Sequence, residues 1–178
     1  MNKLSANTLL SIHTRLSAIF NFGIKHHGLH DNPAKRAGNF DVQVEKRMNF
    51  WELFEFKRFI KYVFELKFRA LFMTLYFSGL RKGELLALTW GDIDFKNKTI
   101  DVNKTDHNRI VTTPKTNASI RKLLLPQQVL DLLTEIKKET NAKDTYNMFG
   151  EFNESLSTTT LDNKFAAFVK ASEYKRFD

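Results

Sequence analysis

The nine residues FSGLRKGEL, from Phe77 to Leu85, are the most informative stretch of this chain. They close an apolar stretch with helical spacing, and ALTWGDID follows at residues 87–94. Glycines stand on both sides of Arg81 and let the backbone bend where a β-carbon would be strained. The pattern therefore predicts a sharp turn between two helices, with Arg81 held in a fixed position. An arginine fixed in this way is suited to binding a phosphate.

A second informative segment is TTPKTNASIRKLLLP, from Thr112 to Pro126. Together the two segments resemble the catalytic domain of the tyrosine recombinases, which are the phage and transposon integrases. In this resemblance, residues 79–85 correspond to the first arginine motif of the family and Lys115 corresponds to its hairpin lysine. The spacing of Ser119 and Arg121 matches the family as well.

The resemblance implies roles for three residues. The guanidinium of Arg81 would pair with two oxygens of the scissile phosphate, and Lys115 would protonate the leaving oxygen as a general acid. Glu84 occupies a position that supports a catalytic histidine in the family, although it can equally be an acid favoured by the helix dipole. Lys115 can also be one more solvated lysine. In that case Lys104 is the alternative candidate for the general acid. The family reaction uses no metal and no cofactor.

The chain is predicted to divide near Val44. Residues 1–43 resemble the C-terminal part of a helical core-binding domain that contacts DNA, together with most of a linker. The linker is predicted over residues 35–47. Residues 44–178 resemble the N-terminal portion of the integrase catalytic domain. Asn7 is the predicted cap of the first helix, and Pro33 stops helical structure.

The expected fold class is mainly α with a small antiparallel β-sheet. A hairpin is predicted at Ile93–Val102, because apolar residues alternate there, and Arg121–Leu125 is the best candidate for a third strand. Besides the helix that follows Arg81, helical periodicity and capping residues predict four helices in the second domain, and a loop connects the last two. These segments are a helix capped at Asn49 and carrying Phe56, Phe59, Ile60 and Val63; Phe68–Ser78; helices beginning at Pro126 and Ser157; and the loop Asn141–Glu154.

The chain is basic, with a formal charge of +8 over 178 residues and a pI near 9.6. This charge favours a polyanionic partner, and double-stranded DNA is the partner that the resemblance implies. The predicted DNA contacts are Lys82, Lys98, Lys104, Arg109, Arg121 and Lys122. The chain has no cysteine, which excludes a disulfide framework. No signal peptide or membrane-length apolar run is found, and a cytoplasmic location is expected.

The family also uses a His-x-x-Arg motif, a further His or Trp, and a nucleophilic tyrosine, all downstream of the hairpin lysine. No His or Trp follows Lys115, and the tyrosines that do, Tyr146 and Tyr174, precede the place where the family keeps its nucleophile. We therefore interpret the chain as a fragment that cannot cleave DNA alone and is monomeric, whereas the family works as tetramers on DNA. Two alternatives remain: a DNA-binding accessory protein or regulator on the same scaffold, and a helical interaction domain without a nucleic-acid role. His26 and His30 are one helical turn apart, but no third ligand makes them a metal site.

Overall fold

The computed structural model describes residues 4–38, 50–113, 120–152 and 154–172. The chain divides into two compact units, Met1–Asn49 and Phe50–Asp178. The domain boundary predicted near Val44 lies outside the described residues and stays a prediction. Within the described part of the chain, no helix is both long enough and apolar enough to cross a membrane.

Over residues 4–38, the first unit contains two helices, α1 (Ala6–His27) and α2 (Pro33–Ala37). Ser5 caps α1 by accepting a hydrogen bond from the backbone N–H of Thr8 at 3.2 Å. The predicted cap at Asn7 is wrong, because that residue already lies inside the helix. Gly28 ends α1 with a φ of 66°, which a residue with a β-carbon adopts only at a cost.

Asn32 joins the two helices of this unit. Its side-chain oxygen accepts a hydrogen bond from the N–H of Lys35, and its amide donates to the side chain of Asn21 at 2.8 Å. Pro33 is the first residue of α2, since proline suits the first helical turn. The prediction that Pro33 stops helical structure is wrong, because α1 already ends at Gly28. The predicted linker is wrong over residues 35–37, which are helical, and from residue 39 it lies outside the described residues.

The second unit contains five helices among its described residues: α3 (Leu53–Ile60), α4 (Leu66–Ser78), α5 (Lys82–Ala87), α6 (Gln127–Thr140) and α7 (Thr158–Ala171). Apolar residues of α3, α6 and α7 supply much of the buried core. Glu52, not Asn49, precedes α3, and the side chain of Glu55 accepts its N–H at 2.8 Å. Pro126 and Ser157 stand immediately before α6 and α7, within one residue of the predicted starts.

The predicted hairpin and third strand form a three-stranded antiparallel sheet. Its strands are β1 (Ile93–Asp94), β2 (Thr99–Val102) and β5 (Arg121–Leu124), in the order β1-β2-β5. A second hairpin, β3 (Thr105–His107) with β4 (Ile110–Thr112), was not predicted. Its two turn residues, Asn108 and Arg109, both have positive φ, and without a glycine the turn gives only a weak sequence signal. The mainly α fold with small antiparallel sheets is as predicted.

Candidate active site

Arg81 lies on the turn between α4 and α5, as predicted. Gly79 ends α4 with a φ of 62°, and its N–H donates to the carbonyl of Leu75. The next residue, Leu80, is buried and holds the turn against the core. Arg81 then precedes the first turn of α5, and 78% of its side chain is exposed. The backbone of this arginine is therefore fixed while its guanidinium faces solvent.

The second glycine of the motif has a different role from the first. Gly83 does not adopt positive φ, so the prediction that it permits a bend is wrong. It lies inside α5 against β3, where an added β-carbon would be 2.6 Å from the carbonyl oxygen of Asp106. That distance is well below the sum of the van der Waals radii of carbon and oxygen. Gly83 is therefore the residue that allows α5 to pack on β3.

Glu84 is the centre of the charged cluster, and only 5% of its side chain is exposed. Its Oε2 accepts the backbone N–H of Arg81 at 2.9 Å, and its Oε1 accepts Nη1 of Arg81 at 3.1 Å. Arg121 donates from Nη1 to Oε1 at 3.0 Å and from Nη2 to Oε2 at 2.9 Å. A carboxylate offers about four lone-pair sites, and these four hydrogen bonds occupy them.

These contacts keep Glu84 ionised. The hydrogen bonds from Arg121 are the largest cause, and together with those from Arg81 they lower the pKa of Glu84 to about 2 despite its burial. The same pairing raises the pKa of Arg121. At neutral pH the cluster therefore holds two guanidinium charges and one carboxylate charge. The net charge of the cluster is +1, and Arg81 is its most exposed cation.

Arg121 was predicted as a DNA contact, but the structure places it beside Glu84. It lies on β5 opposite Val102, and 31% of its side chain is exposed. The exposure of β5 alternates, so that Arg121 and Leu123 share the less exposed face and Lys122 and Leu124 the other. The sequence RKLL does not show this alternation, and it did not reveal that Glu84, 37 residues earlier, would face Arg121.

Lys104 lies in a second, separate charged cluster. Its Nζ is 2.8 Å from Oδ2 of Asp92 and donates to Oγ1 of Thr89 at 3.1 Å. Only 23% of the Lys104 side chain and 9% of the Asp92 side chain are exposed. Lys104 is therefore anchored in a partly buried ion pair, which favours neither a DNA contact nor the role of replacement for Lys115.

The other predicted DNA contacts lie on the surface. Lys82 pairs with Asp162 at 2.9 Å, and Arg109 pairs with Glu154 at 3.1 Å. All four of these side chains are about half exposed or more, and such pairs are worth little because water screens them. Lys98, in the turn between β1 and β2, and Lys122 are also exposed. Because their ion pairs are weak, Lys82 and Arg109 can exchange a carboxylate partner for a phosphate at small cost.

Lys115 falls within residues 114–119, which lie outside the described residues. In sequence it stands on the connection between β4 and β5. His26 and His27 end α1, and both rings contact Phe22. Within the described ranges, no group of three His, Asp or Glu side chains could hold a metal ion.

Comparison with known proteins identifies relatives of most of the chain. The model of the phage integrase family matches residues 46–178. The ICEBs1 integrase of Bacillus subtilis (strain 168) is 37% identical over 141 residues, which are 76% of this chain and 38% of that protein. The tyrosine recombinase XerC-like protein of Caldanaerobacter subterraneus is 27% identical over 149 residues, covering 74% of this chain and 38% of its own length. The chain thus spans well under half the length of these curated relatives.

Solved structures share the fold. The Tn1549 transposon integrase in complex with a circular intermediate DNA matches with a TM-score of 0.77 at 22% identity, covering 96% of this chain and 60% of that one. A lambda integrase tetramer bound to a Holliday junction matches with a TM-score of 0.70 at 17% identity, covering 96% of this chain and 49% of that one. At these identities the likeness establishes the fold alone.

Proposed function

This chain belongs to the phage integrase family, and we propose that the protein it represents recombines DNA site-specifically as a tyrosine recombinase, through a covalent 3′-phosphotyrosine intermediate. One observation carries the proposal. Arg81, in the segment that matches the family, is exposed to solvent while a buried carboxylate anchors its backbone and one of its nitrogens. An arginine held in this way is prepared to meet a phosphate before DNA arrives.

The chemistry requires a cation of this kind. When a phosphodiester is attacked, negative charge grows on its non-bridging oxygens, and fixed donors aimed at those oxygens lower the barrier. A guanidinium can bind two oxygens at once, which an ammonium cannot. Only one nitrogen of the Arg81 guanidinium, Nη1, donates to Glu84. We therefore assign Arg81 as the phosphate-binding catalytic residue and Glu84 as its support.

The remaining catalytic roles are proposals that depend on the family. Lys115 is the proposed general acid for the leaving 5′ oxygen. Lys104 is a poor alternative because Asp92 and Thr89 already hold its ammonium group.

We propose that the 178-residue chain does not cleave DNA by itself. Tyr76 stacks on Phe56 with ring centroids 3.9 Å apart, and its hydroxyl donates to the carbonyl of Trp51. Tyr146 packs against Phe152. Tyr62 lies in the turn after α3, and Tyr174 lies outside the described residues. No described tyrosine makes a contact that would activate it as a nucleophile.

The proposed partner is double-stranded DNA, which the chain alone would bind weakly and as a monomer. The exposed cations Lys82, Lys98, Arg109 and Lys122 provide the non-specific part of this binding. Each phosphate that is neutralised releases counterions, so affinity should fall steeply as salt rises. The family assembly on DNA, a tetramer, is proposed for the whole protein.

The test uses the protein encoded by the whole reading frame that contains this chain. It is incubated with a nicked suicide duplex carrying the DNA next to its own gene, and covalent protein–DNA adducts are separated by denaturing electrophoresis. An adduct joined through phosphotyrosine, and lost in Arg81→Lys, is expected. Salt-dependent binding without any adduct would favour the accessory DNA-binding protein. Binding that does not depend on salt would contradict both.

A further inference from the structure

Arg121 holds Glu84 with a geometry that a simple surface cation does not have. Its two Nη atoms donate in parallel to the two carboxylate oxygens, at 3.0 and 2.9 Å. This is the bidentate fork that makes arginine–carboxylate pairs both strong and directional. Arg121 reaches Glu84 from β5, an element separate from the helix that carries Glu84. The contact therefore ties the start of α5 to the sheet.

The contact also decides which charge of the cluster remains available. Glu84 is buried, and a buried carboxylate must be paired. Arg121 satisfies it with two hydrogen bonds, whereas the side chain of Arg81 contributes one. If Arg121 were absent, Arg81 would be the only cation among the described residues left to neutralise Glu84. Its guanidinium would then be drawn toward the carboxylate and away from solvent.

We propose that Arg121 is a positioning residue: it holds Glu84, and through Glu84 it fixes the guanidinium of Arg81 that meets the scissile phosphate. This proposal rests on the proposed function, because it concerns the phosphate-binding arginine of that reaction. It replaces the expectation that Arg121 itself contacts DNA. Both of its Nη atoms already donate to Glu84, and it lies on the less exposed face of β5.

The first experiment measures how strongly Arg121 lowers the pKa of Glu84 in the 178-residue chain. Arg121→Lys keeps the positive charge but cannot form the two-point contact. Arg69→Lys, an exposed arginine on α4, is the matched control. The titration of the Glu84 carboxyl carbon is followed by NMR with ¹³C-labelled glutamate, and Glu84→Gln assigns the signal. The pKa of Glu84 should rise by about one unit or more in Arg121→Lys and stay unchanged in the control.

The second experiment asks whether Arg121 acts through Arg81. Affinity for a fluorescent 20-base-pair duplex is measured by anisotropy for Arg121→Lys, Arg81→Gln and the double variant. A positioning residue gives non-additive losses, because its effect passes through its partner. Arg121→Lys should weaken binding roughly fivefold alone and by less than about twofold in the Arg81→Gln background. Thermal melts of every variant identify any that has lost its fold.

The outcomes distinguish the positioning role of Arg121 from the proposed function. Equal losses in both backgrounds would overturn the proposal, because Arg121 would then bind DNA independently of Arg81. An unchanged titration of Glu84 in Arg121→Lys would overturn it as well. If the unmodified chain bound no DNA while Glu84 titrated as expected, the proposed function and the phosphate part of this proposal would both fail. The contact between Arg121 and Glu84 would then stand as a structural ion pair.

Discussion

Two charged clusters in this molecule are built on the same local plan, eight residues apart in sequence. In Leu80-Arg81-Lys82-Gly83-Glu84 the carboxylate of Glu84 accepts the backbone N–H of Arg81 at 2.9 Å. In Leu88-Thr89-Trp90-Gly91-Asp92 the carboxylate of Asp92 accepts the backbone N–H of Thr89 at 2.7 Å. Both leucines are buried. Each acid caps the start of a helical turn, and this is a common way to satisfy free N–H groups.

A cation from a distant part of the chain completes each cluster. Arg121 pairs with Glu84, and Lys104 pairs with Asp92. Both cations are partly buried, with side chains 31% and 23% exposed. The difference is the residue at the start of the turn. The hydroxyl of Thr89 donates to Asp92, whereas Arg81 donates one hydrogen bond from Nη1 to Glu84 and still keeps 78% of its side chain exposed. The comparison indicates that Lys104–Asp92 is a structural pair, and that the first cluster adds an exposed cation to the same scaffold.

The largest effect is expected from neutralising the buried acid of the first cluster. Glu84→Gln leaves Arg121 and Arg81 without their carboxylate, and breaking a buried ion pair costs about 3–5 kcal/mol. We expect a loss of about 3 kcal/mol in the free energy of unfolding, measured in urea, because Arg121 is partly solvated. Asp92→Asn is the matched variant and should lose less, since its partner is a single lysine. Equal losses of stability in Glu84→Gln and Asp92→Asn would contradict the difference inferred between the two clusters.

Acid should weaken the first cluster over a defined pH range. The pKa of Glu84 is lowered in the folded chain from 4.5 to about 2, so its contribution is complete above about pH 4.5 and is lost as the pH falls toward 2. The whole contribution is at most about 3 kcal/mol. Urea unfolding of the wild-type chain and Glu84→Gln is compared at pH 7, 4 and 3. Their difference in stability should shrink as the pH falls, and a constant difference would contradict the assigned pKa.

A smaller effect is expected from the glycines that occupy the same place in the two turns. A β-carbon at Gly83 would lie 2.6 Å from the carbonyl oxygen of Asp106, and one at Gly91 would lie 3.2 Å from that of Asp144. Gly83→Ala should therefore displace α5 and cost about 2 kcal/mol, as overpacking does. Gly91→Ala should cost less than about 1 kcal/mol because a small shift relieves the contact. Urea unfolding of both variants tests the order, and the reverse order would show that α5 moves away from β3 more easily than this close packing implies.

The turn, the first hairpin and the third strand could be predicted because glycine, capping residues and alternating apolar residues act locally. The cluster itself could be predicted only in part. Arg81 and Glu84 are three residues apart and share a helical turn, so their contact follows from sequence. Arg121 reaches Glu84 because β5 pairs with β2 in one particular register, and that register depends on tertiary packing. The pairing of Lys104 with Asp92 was missed for the same reason, since the β3–β4 hairpin gave no clear signal.

The most direct test of the account is the salt dependence of duplex binding for Arg81→Gln and Lys104→Gln, measured by fluorescence anisotropy between 50 and 200 mM salt at matched pH. Arg81→Gln should reduce the slope of log affinity against log salt by about 0.9, the value for one lost phosphate contact, and change stability by less than about 0.5 kcal/mol. Lys104→Gln should leave the slope unchanged and lower stability by about 2 kcal/mol, because it removes the cation that pairs with the nearly buried carboxylate of Asp92. If Lys104→Gln reduced the slope and Arg81→Gln did not, Arg81 would not be the phosphate-binding arginine.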